Sequence, residues 1–89
     1  MRAPMKPIQI CGHARFEMRR RGISDTEVEA VVRNPGQVLP AWKGRQVLQS
    51  KVGAGGHLLL RVVVRAEPAA YVIITAYLTN KVAKYWKRT

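Results

Sequence analysis

Four side chains in this sequence stand out as able to bind an anion or move a proton: His13, Arg61, Arg65 and Tyr77. An imidazole such as that of His13 can act as a general acid or base. The planar guanidinium of an arginine donates paired hydrogen bonds to phosphate oxygens. A tyrosine can stack on a base or donate its hydroxyl proton. These residue types suit the binding of a phosphodiester and, if they meet in one site, its cleavage without a metal.

Strand alternation predicts that most of these residues share one face of a sheet. Every even position is apolar from His57 to Arg65 and again from Tyr71 to Leu78. Because alternate residues of a strand point to opposite faces, we expect the even positions to pack against helices. The odd positions then form a second surface, which bears His57, Arg61, Arg65, Thr75 and Tyr77. The alternative is an ordinary solvated face of a half-exposed sheet.

A first helix is predicted from His13 to Arg21, with Gly22 as its C-terminal stop. The helix dipole favours the neutral form of an imidazole near the helix N-terminus, as a general base requires. Alternatively, His13 caps the helix or forms a hydrogen bond inside the core. The run Arg19-Arg20-Arg21 spreads around the helix, so at least one of these arginines should face the sheet or a partner.

The net charge of +11, from 16 Lys and Arg against five Asp and Glu, predicts a polyanionic partner. RNA or the ribosome fits that charge, and Lys81 and Lys84 join Arg65 as predicted nucleic-acid contacts. An acidic protein partner also fits, and it can cover the same surface. A basic surface kept only for solubility is the remaining interpretation.

Nothing in the sequence predicts a metal or a cofactor. Cys11, His13 and His57 lack a zinc-site framework, and Gly53–Gly56 is better explained as a hairpin turn than as a phosphate loop. The single cysteine fits a reducing cytosol. The stretch before Ile10 lacks the apolar core of a signal peptide, and the longest apolar run is too short to span a bilayer. We therefore expect a cytoplasmic protein with no membrane partner.

The second helix has the clearest local signal. Ser24 and Glu27 form a capping-box pattern, and Ile23 and Val28 are spaced as a hydrophobic staple. Asn34-Pro35 ends the helix because the residue before proline avoids helical geometry.

Strands and a final helix complete the predicted α+β domain, which takes up residues 1–89. Short turns join the strands, which favours antiparallel hairpins. The predicted strands are Arg45–Lys51, His57–Arg65 and Tyr71–Leu78, with Val38-Leu39 as an edge strand, and the final helix is Thr79–Thr89. The predicted fold is two N-terminal helices packed on a three- to four-stranded antiparallel sheet, with a short C-terminal helix.

Several short motifs resemble the family catalogued as domain of unknown function 4258. They are His13-Ala14, Arg21-Gly22-Ile23-Ser24, Asn34-Pro35, Leu60–Val64 and Ile74–Tyr77. The resemblance implies a RelE/ParE-like toxin fold, RNA cleavage and an antitoxin partner. It also implies that His13, Arg21 and Thr75 occupy the positions of the family's site residues. Glu17 departs from the pattern, because the family often has an arginine there.

Two hypotheses follow for function. The first is a toxin-like RNA-binding protein that acts as a metal-independent endoribonuclease in a toxin–antitoxin pair. His13 or Tyr77 would then activate an RNA 2′ hydroxyl, and Arg61 with Arg21 or Arg65 would stabilise the phosphorane. The second is a non-catalytic module that binds a nucleic acid, the ribosome or a protein. Convergence of His13, Thr75 and an arginine in one cleft would favour catalysis, and their dispersal would favour binding.

Overall fold

The fold is a five-stranded mixed sheet with two helices on one face, in a computed structural model that describes residues 6–88. The elements in chain order are β1 (Ile8–Ile10), α1 (Gly12–Arg21), α2 (Asp25–Arg33), β2 (Gln37–Pro40), β3 (Gln46–Val52), β4 (Leu58–Ala66), β5 (Tyr71–Thr79) and α3 (Val82–Tyr85). The strand order is β1-β5-β4-β3-β2. The predicted α+β class is confirmed, and the short edge strand at Val38-Leu39 is present as part of β2.

The sheet differs from the prediction by its first strand, β1, which pairs with β5 in parallel. The Tyr71 amide donates a hydrogen bond to the Pro7 carbonyl oxygen at 2.9 Å, just before that pairing begins. A three-residue strand has too few positions to show an alternating pattern, and its partner lies far along the chain. The predicted antiparallel sheet was therefore incomplete; residues 1–5 of the N-terminal stretch lie outside the described residues.

The two predicted N-terminal helices are confirmed, and both pack on the same face of the sheet. We call α1 and α2 the helix layer. In α2 the Ser24 hydroxyl accepts from the Glu27 amide at 3.1 Å, and the Glu27 carboxylate accepts from the Ser24 amide at 2.9 Å. The core joins buried side chains of the helices and of the turn between them to Leu48 of β3, the even positions of β4 and two residues of β5. Its members are Ala14, Met18, Ile23, Val28, Val31, Val32, Leu48, Leu60, Val62, Val64, Ile73 and Ala76. Its burial is the main apolar contribution to stability.

A β-bulge overturns part of the predicted alternation in β5. The register pairs Val63 with Thr75 but Val64 with Ile73, so Ile74 is the extra residue. Since a bulge reverses the faces beyond it, Ile73 packs into the core, and the prediction that Val72 and Ile74 face the helices was wrong. Ala76 lies in the core as predicted.

The predicted C-terminal helix over Thr79–Thr89 was wrong in length, because α3 is a single turn. The residues around it, 81–88, form what we call the C-terminal strap. Its backbone bonds to glutamine side chains on the sheet, and those bonds compete with further helical turns. Trp86 also packs so closely on Gly36 that a Cβ there would lie 2.8 Å from the indole Cη2. Thr89 lies outside the described residues.

The sheet is also partly covered on the face opposite the helices. We call the face opposite α1 and α2 the far face. Leu59 and Val63 of β4 point to it, and they are 0% and 2% exposed. The far face is therefore partly buried, while Lys51 and Arg65 on it are exposed. None of the helices within residues 6–88 has the length and apolar character needed to cross a membrane.

Candidate nucleic-acid interface

A hydrogen-bonded row of polar side chains crosses the far face over four strands. The register pairs Gln37 with Gln49, Gln49 with Arg61, and Arg61 with Tyr77, which places all four residues on one face. Gln49 donates to the Gln37 side-chain oxygen at 2.8 Å. Arg61 donates to the Gln49 side-chain oxygen at 2.8 Å and to the Tyr77 hydroxyl at 2.6 Å. We call these four residues the polar row.

Arg61 at the centre of the polar row is a buried cation, only 8% exposed. Its described partners are neutral: Gln49, Tyr77 and the ring of Tyr85, whose centroid lies 4.1 Å from the guanidinium carbon. Within residues 6–88 its Nη2 has no hydrogen-bond partner, and no unpartnered side-chain nitrogen or oxygen there is buried. Nη2 therefore keeps some surface in contact with solvent.

The polar row also holds the C-terminal strap on the far face. The side-chain amide nitrogen of Gln49 donates to the Tyr85 carbonyl oxygen at 3.0 Å. Gln37 bonds the strap twice, donating to the Lys87 carbonyl oxygen at 2.6 Å and accepting from the Lys87 amide at 3.0 Å. Because Tyr85 sits on Arg61 in this arrangement, the strap both shields the guanidinium and brings its own cations to the same face.

Charge is distributed unequally between the two parts of the chain. Residues 1–34 carry seven Lys and Arg against four carboxylates, whereas residues 35–89 carry nine against Glu67 alone, a net +8. In the helix layer, Arg15 pairs with Asp25 and Arg20 with Glu17. Among residues 35–88 the structure shows one ion pair, Arg65 with Glu67 at 2.7 Å. The far face and the strap therefore hold a concentrated positive field.

Two of the predicted site residues, Arg21 and Thr75, meet at an open edge of the sheet. The strand β1 pairs only with Tyr71–Ile73, so within the described residues the second half of β5 has no neighbour on that side. Arg21 reaches this edge from α1 and donates to the Ala76 carbonyl oxygen at 2.9 Å and the Thr75 hydroxyl at 3.3 Å. The prediction that one arginine of the run faces the sheet is confirmed.

Glu17, which departs from the family pattern, pairs with Arg20 and Arg21 at 2.7 Å each. The hydrogen bond from Arg20 lowers the pKa of Glu17 below its ordinary value, and the charges of Arg20, Arg21 and His13 act in the same direction. An arginine at this position would instead repel Arg21. Glu17 thus neutralises part of the charge that Arg21 brings to the sheet edge.

His13 does not join the arginine at the centre of the far face. It is exposed on α1, in the helix layer, while Arg61 points away from that layer. Eight residues of helix separate His13 from Arg21, a rise of about 12 Å. The structure brings Arg61 to Tyr77 and Arg21 to Thr75, with Thr75 and Tyr77 two residues apart on one face of β5.

The predicted nucleic-acid contacts Arg65, Lys81 and Lys84 are all exposed, but Arg65 is engaged by Glu67. Sequence reasoning missed Gln37, Gln49 and Tyr85. No signal in the sequence identified them, since their alignment with Arg61 depends on the strand register and on the path of the strap. His57 serves its own turn, where Nδ1 lies 2.7 Å from the Ala54 carbonyl oxygen.

Comparison with known proteins identifies one family. The sequence matches the domain of unknown function DUF4258 over residues 10–78, from the end of β1 almost to the end of β5. The matched range includes the helix layer and every member of the polar row. No curated protein and no solved structure matches the chain.

Proposed function

The chain belongs to the family of domain of unknown function DUF4258, and we propose that this member is a toxin-like protein that binds RNA through its far face. The observation that carries the proposal is Arg61, a guanidinium 8% exposed with no carboxylate partner among residues 6–88. Removing a cation from water is costly unless opposite charge compensates it. A phosphate that contacts Nη2 supplies that charge.

Cations and aromatic rings alternate on the same side, which favours a nucleic acid over an acidic protein. The ammonium of Lys51 lies 4.5 Å from the Trp86 ring, and that of Lys84 lies 5.2 Å from the Tyr85 ring. RNA presents both phosphates and flat bases, so it uses both kinds of side chain. An acidic peptide would contact mainly the cations and not the aromatic rings.

The toxin-like part of the proposal rests on the resemblance to RelE/ParE-like toxins. It implies that the RNA belongs to the translation machinery, with the ribosome as a partner, and that an acidic antitoxin covers the basic surface. The net charge of +11 supports both partners. All of these partners are found in the cytoplasm, where we place the protein.

The test compares two arginines that differ in position but not in charge. Arg61→Met keeps most of the side-chain volume and removes the buried guanidinium, whereas Arg19→Met removes an exposed one from the helix layer. Fluorescence anisotropy with a labelled RNA pool should show at least a tenfold loss of affinity for Arg61→Met and little change for Arg19→Met. Circular dichroism checks that both variants are folded.

Two outcomes would count against the proposal. Equal effects of the two substitutions would mean that the affinity is diffuse charge attraction and not a property of the far face. Absence of RNA binding by the wild-type protein at low salt would end the proposal, because electrostatic binding is strongest there.

A second candidate function, RNA cleavage, is favoured by the pairing of Arg21 with Thr75 beside the pairing of Arg61 with Tyr77. In this reaction the 2′ oxygen attacks phosphorus and the bond to the 5′ oxygen breaks. The Tyr77 hydroxyl gives its proton to the leaving oxygen and takes one from the 2′ hydroxyl. The two guanidiniums stabilise the added negative charge. The products are a 2′,3′-cyclic phosphate and a 5′ hydroxyl.

Cleavage is tested with labelled RNA in the presence of EDTA. Tyr77→Phe should reduce the rate about a hundredfold, the lower end of what proton transfer contributes. His13→Ala should have a small effect, because His13 lies in the helix layer. If the wild type binds RNA but never cleaves it, the cleavage candidate is rejected and RNA binding stands.

A further inference from the structure

The hairpin between β2 and β3 ends in a tight turn that carries an exposed indole and two cations. Trp42 and Arg45 flank a two-residue turn in which Lys43 has φ 55° and ψ 40° and Gly44 has φ 74°. The Arg45 amide donates to the Trp42 carbonyl oxygen at 3.1 Å, which closes the turn. Both central residues are left-handed, as in the turns that match the twist of antiparallel strands.

Lys43 is an unusual residue for its backbone conformation. Among residues 6–88 it alone, apart from glycines, has a positive φ. Asn or Gly adopts this conformation at lower cost, since an L side chain there crowds the backbone. The turn thus places a long cationic side chain at the end of the hairpin despite the cost of this backbone conformation. An observed backbone outlier of this kind points to use of the side chain.

Trp42 is 55% exposed although it is among the largest apolar side chains available. The guanidinium carbon of Arg45 lies 5.8 Å from its ring centroid, so one arginine already interacts with the indole. No Asp or Glu occurs from Pro35 to Ala66, so the turn lies in a stretch without carboxylates. The turn therefore combines a half-exposed indole, two nearby cations and a left-handed backbone at Lys43 and Gly44.

We propose that Trp42 is a stacking platform for an unpaired base and that Lys43 and Arg45 hold the phosphates on either side of it. This inference rests on the proposed RNA binding and names its substrate class as single-stranded RNA. In a duplex the bases are already stacked on one another, so the indole has no free base to contact.

The turn leads directly into the strand that carries Gln49 of the polar row. β3 starts at Gln46, just after the turn, and reaches Gln49 of the polar row three residues later, about 10 Å along the strand. The two residues thus bind different parts of the RNA: Arg61 binds a phosphate and Trp42 binds a base.

The experiment measures the affinities of variants for three probes: a labelled single-stranded RNA 12-mer, its duplex, and inorganic polyphosphate, which has no bases. The variants are Trp42→Ala, Trp42→Phe and the control Phe16→Ala, which removes another exposed aromatic ring from α1. We expect Trp42→Ala to lose tenfold or more on the single strand, with Trp42→Phe and Phe16→Ala within about threefold of wild type. Polyphosphate affinity should not change in any variant, and duplex affinity should change less than single-strand affinity.

The outcomes separate this inference from the proposed function. If wild type binds the single strand, Arg61→Met weakens that binding and Trp42→Ala does not, the stacking platform is wrong and RNA binding stands. An equal loss on polyphosphate would also overturn the platform, because Trp42 would then act on charge or folding. If wild type binds no RNA, the proposed function itself fails.

Discussion

Alternate residues of β4 are buried on opposite sides of the sheet, under the helix layer and on the far face. The two sides differ in the side chains that surround those residues. The helix layer meets the sheet through a continuous apolar core, and two of its carboxylates, Glu17 and Asp25, pair with its own arginines. The far face has a polar row with a buried arginine at its centre, and its strap is held by glutamine side chains. The first arrangement stabilises the fold, whereas the second keeps positive charge available.

This difference suggests how a small domain can carry a functional surface. One core is enough to define the fold of 89 residues, which leaves the second face free to keep polar and charged groups. Those groups cost stability when buried, so a well-packed opposite face is what makes them tolerable.

The largest expected effect is a difference in unfolding free energy between alanine substitutions of two adjacent leucines of β4. Leu60 lies in the core under the helix layer, and Leu59 points to the far face; both are at most 1% exposed. Leu60→Ala should cost about 2–5 kcal/mol of unfolding free energy, because the packed helices cannot close the cavity. Leu59→Ala should cost less, because α1 and α2 do not pack over the far face. Chemical denaturation measures both, and a larger cost for Leu59→Ala would contradict the comparison.

A smaller effect is expected where the strap meets β2. In Gly36→Ala the new methyl would lie 2.8 Å from the Trp86 ring and 3.2 Å from the Gln49 carbonyl oxygen. The strap must move, at about 1–3 kcal/mol of overpacking cost. Tryptophan emission should shift to the red as Trp86 gains water. Unchanged emission would show that the strap does not pack on Gly36 as described.

In the helix layer, removal of the α2 cap should affect stability alone. Ser24→Ala deletes the hydroxyl that caps the Glu27 amide and should cost about 1 kcal/mol. RNA affinity should stay at the wild-type value, because Ser24 is remote from the polar row. A thermal melt measures the stability and an anisotropy titration measures the RNA affinity. A loss of RNA affinity in a folded variant would contradict the claim that the helix layer does not take part in RNA binding.

The smallest expected effect is on the stability of the protein at acidic pH, through the carboxylate of Glu17. Because the folded-state pKa of Glu17 is lowered, its ion pairs add stability above the ordinary value of 4.5, and that stability is lost as pH falls below it. Glu17→Gln should flatten this part of the pH profile. Thermal midpoints of both proteins, taken from neutral pH to about pH 3, test this. Parallel profiles would mean that the pairs with Arg20 and Arg21 contribute nothing.

Local patterns in the sequence predicted the parts of the fold that depend on neighbouring residues. The capping box of Ser24 and Glu27, the stop at Gly22 and the alternation in β4 each follow from a few adjacent residues. The parallel strand β1 and the bulge at Ile74 depend on partners far along the chain. No single segment could reveal them.

The candidate site was predictable to a similar extent. Alternation placed Arg61 and Tyr77 on one face, and the structure joins them. It could not place Gln49 or Tyr85, because that required the register of β3 on β4 and the path of the strap. The single-turn α3 has the same cause, since bonds from Gln37 and Gln49 set the backbone beyond Tyr85.

The most direct test of RNA binding at the far face is the salt dependence of two variants that lose equal charge. One has Lys51, Lys81 and Lys84 changed to Gln, and the other has Arg19, Arg20 and Arg33 of the helix layer changed to Gln; all six residues are exposed. For a single strand, each lost phosphate contact lowers the slope of log affinity against log salt by about 0.7. We predict that the first variant loses about 2 units of slope and the second loses almost none. Equal losses, or a larger loss in the helix-layer variant, would contradict the account.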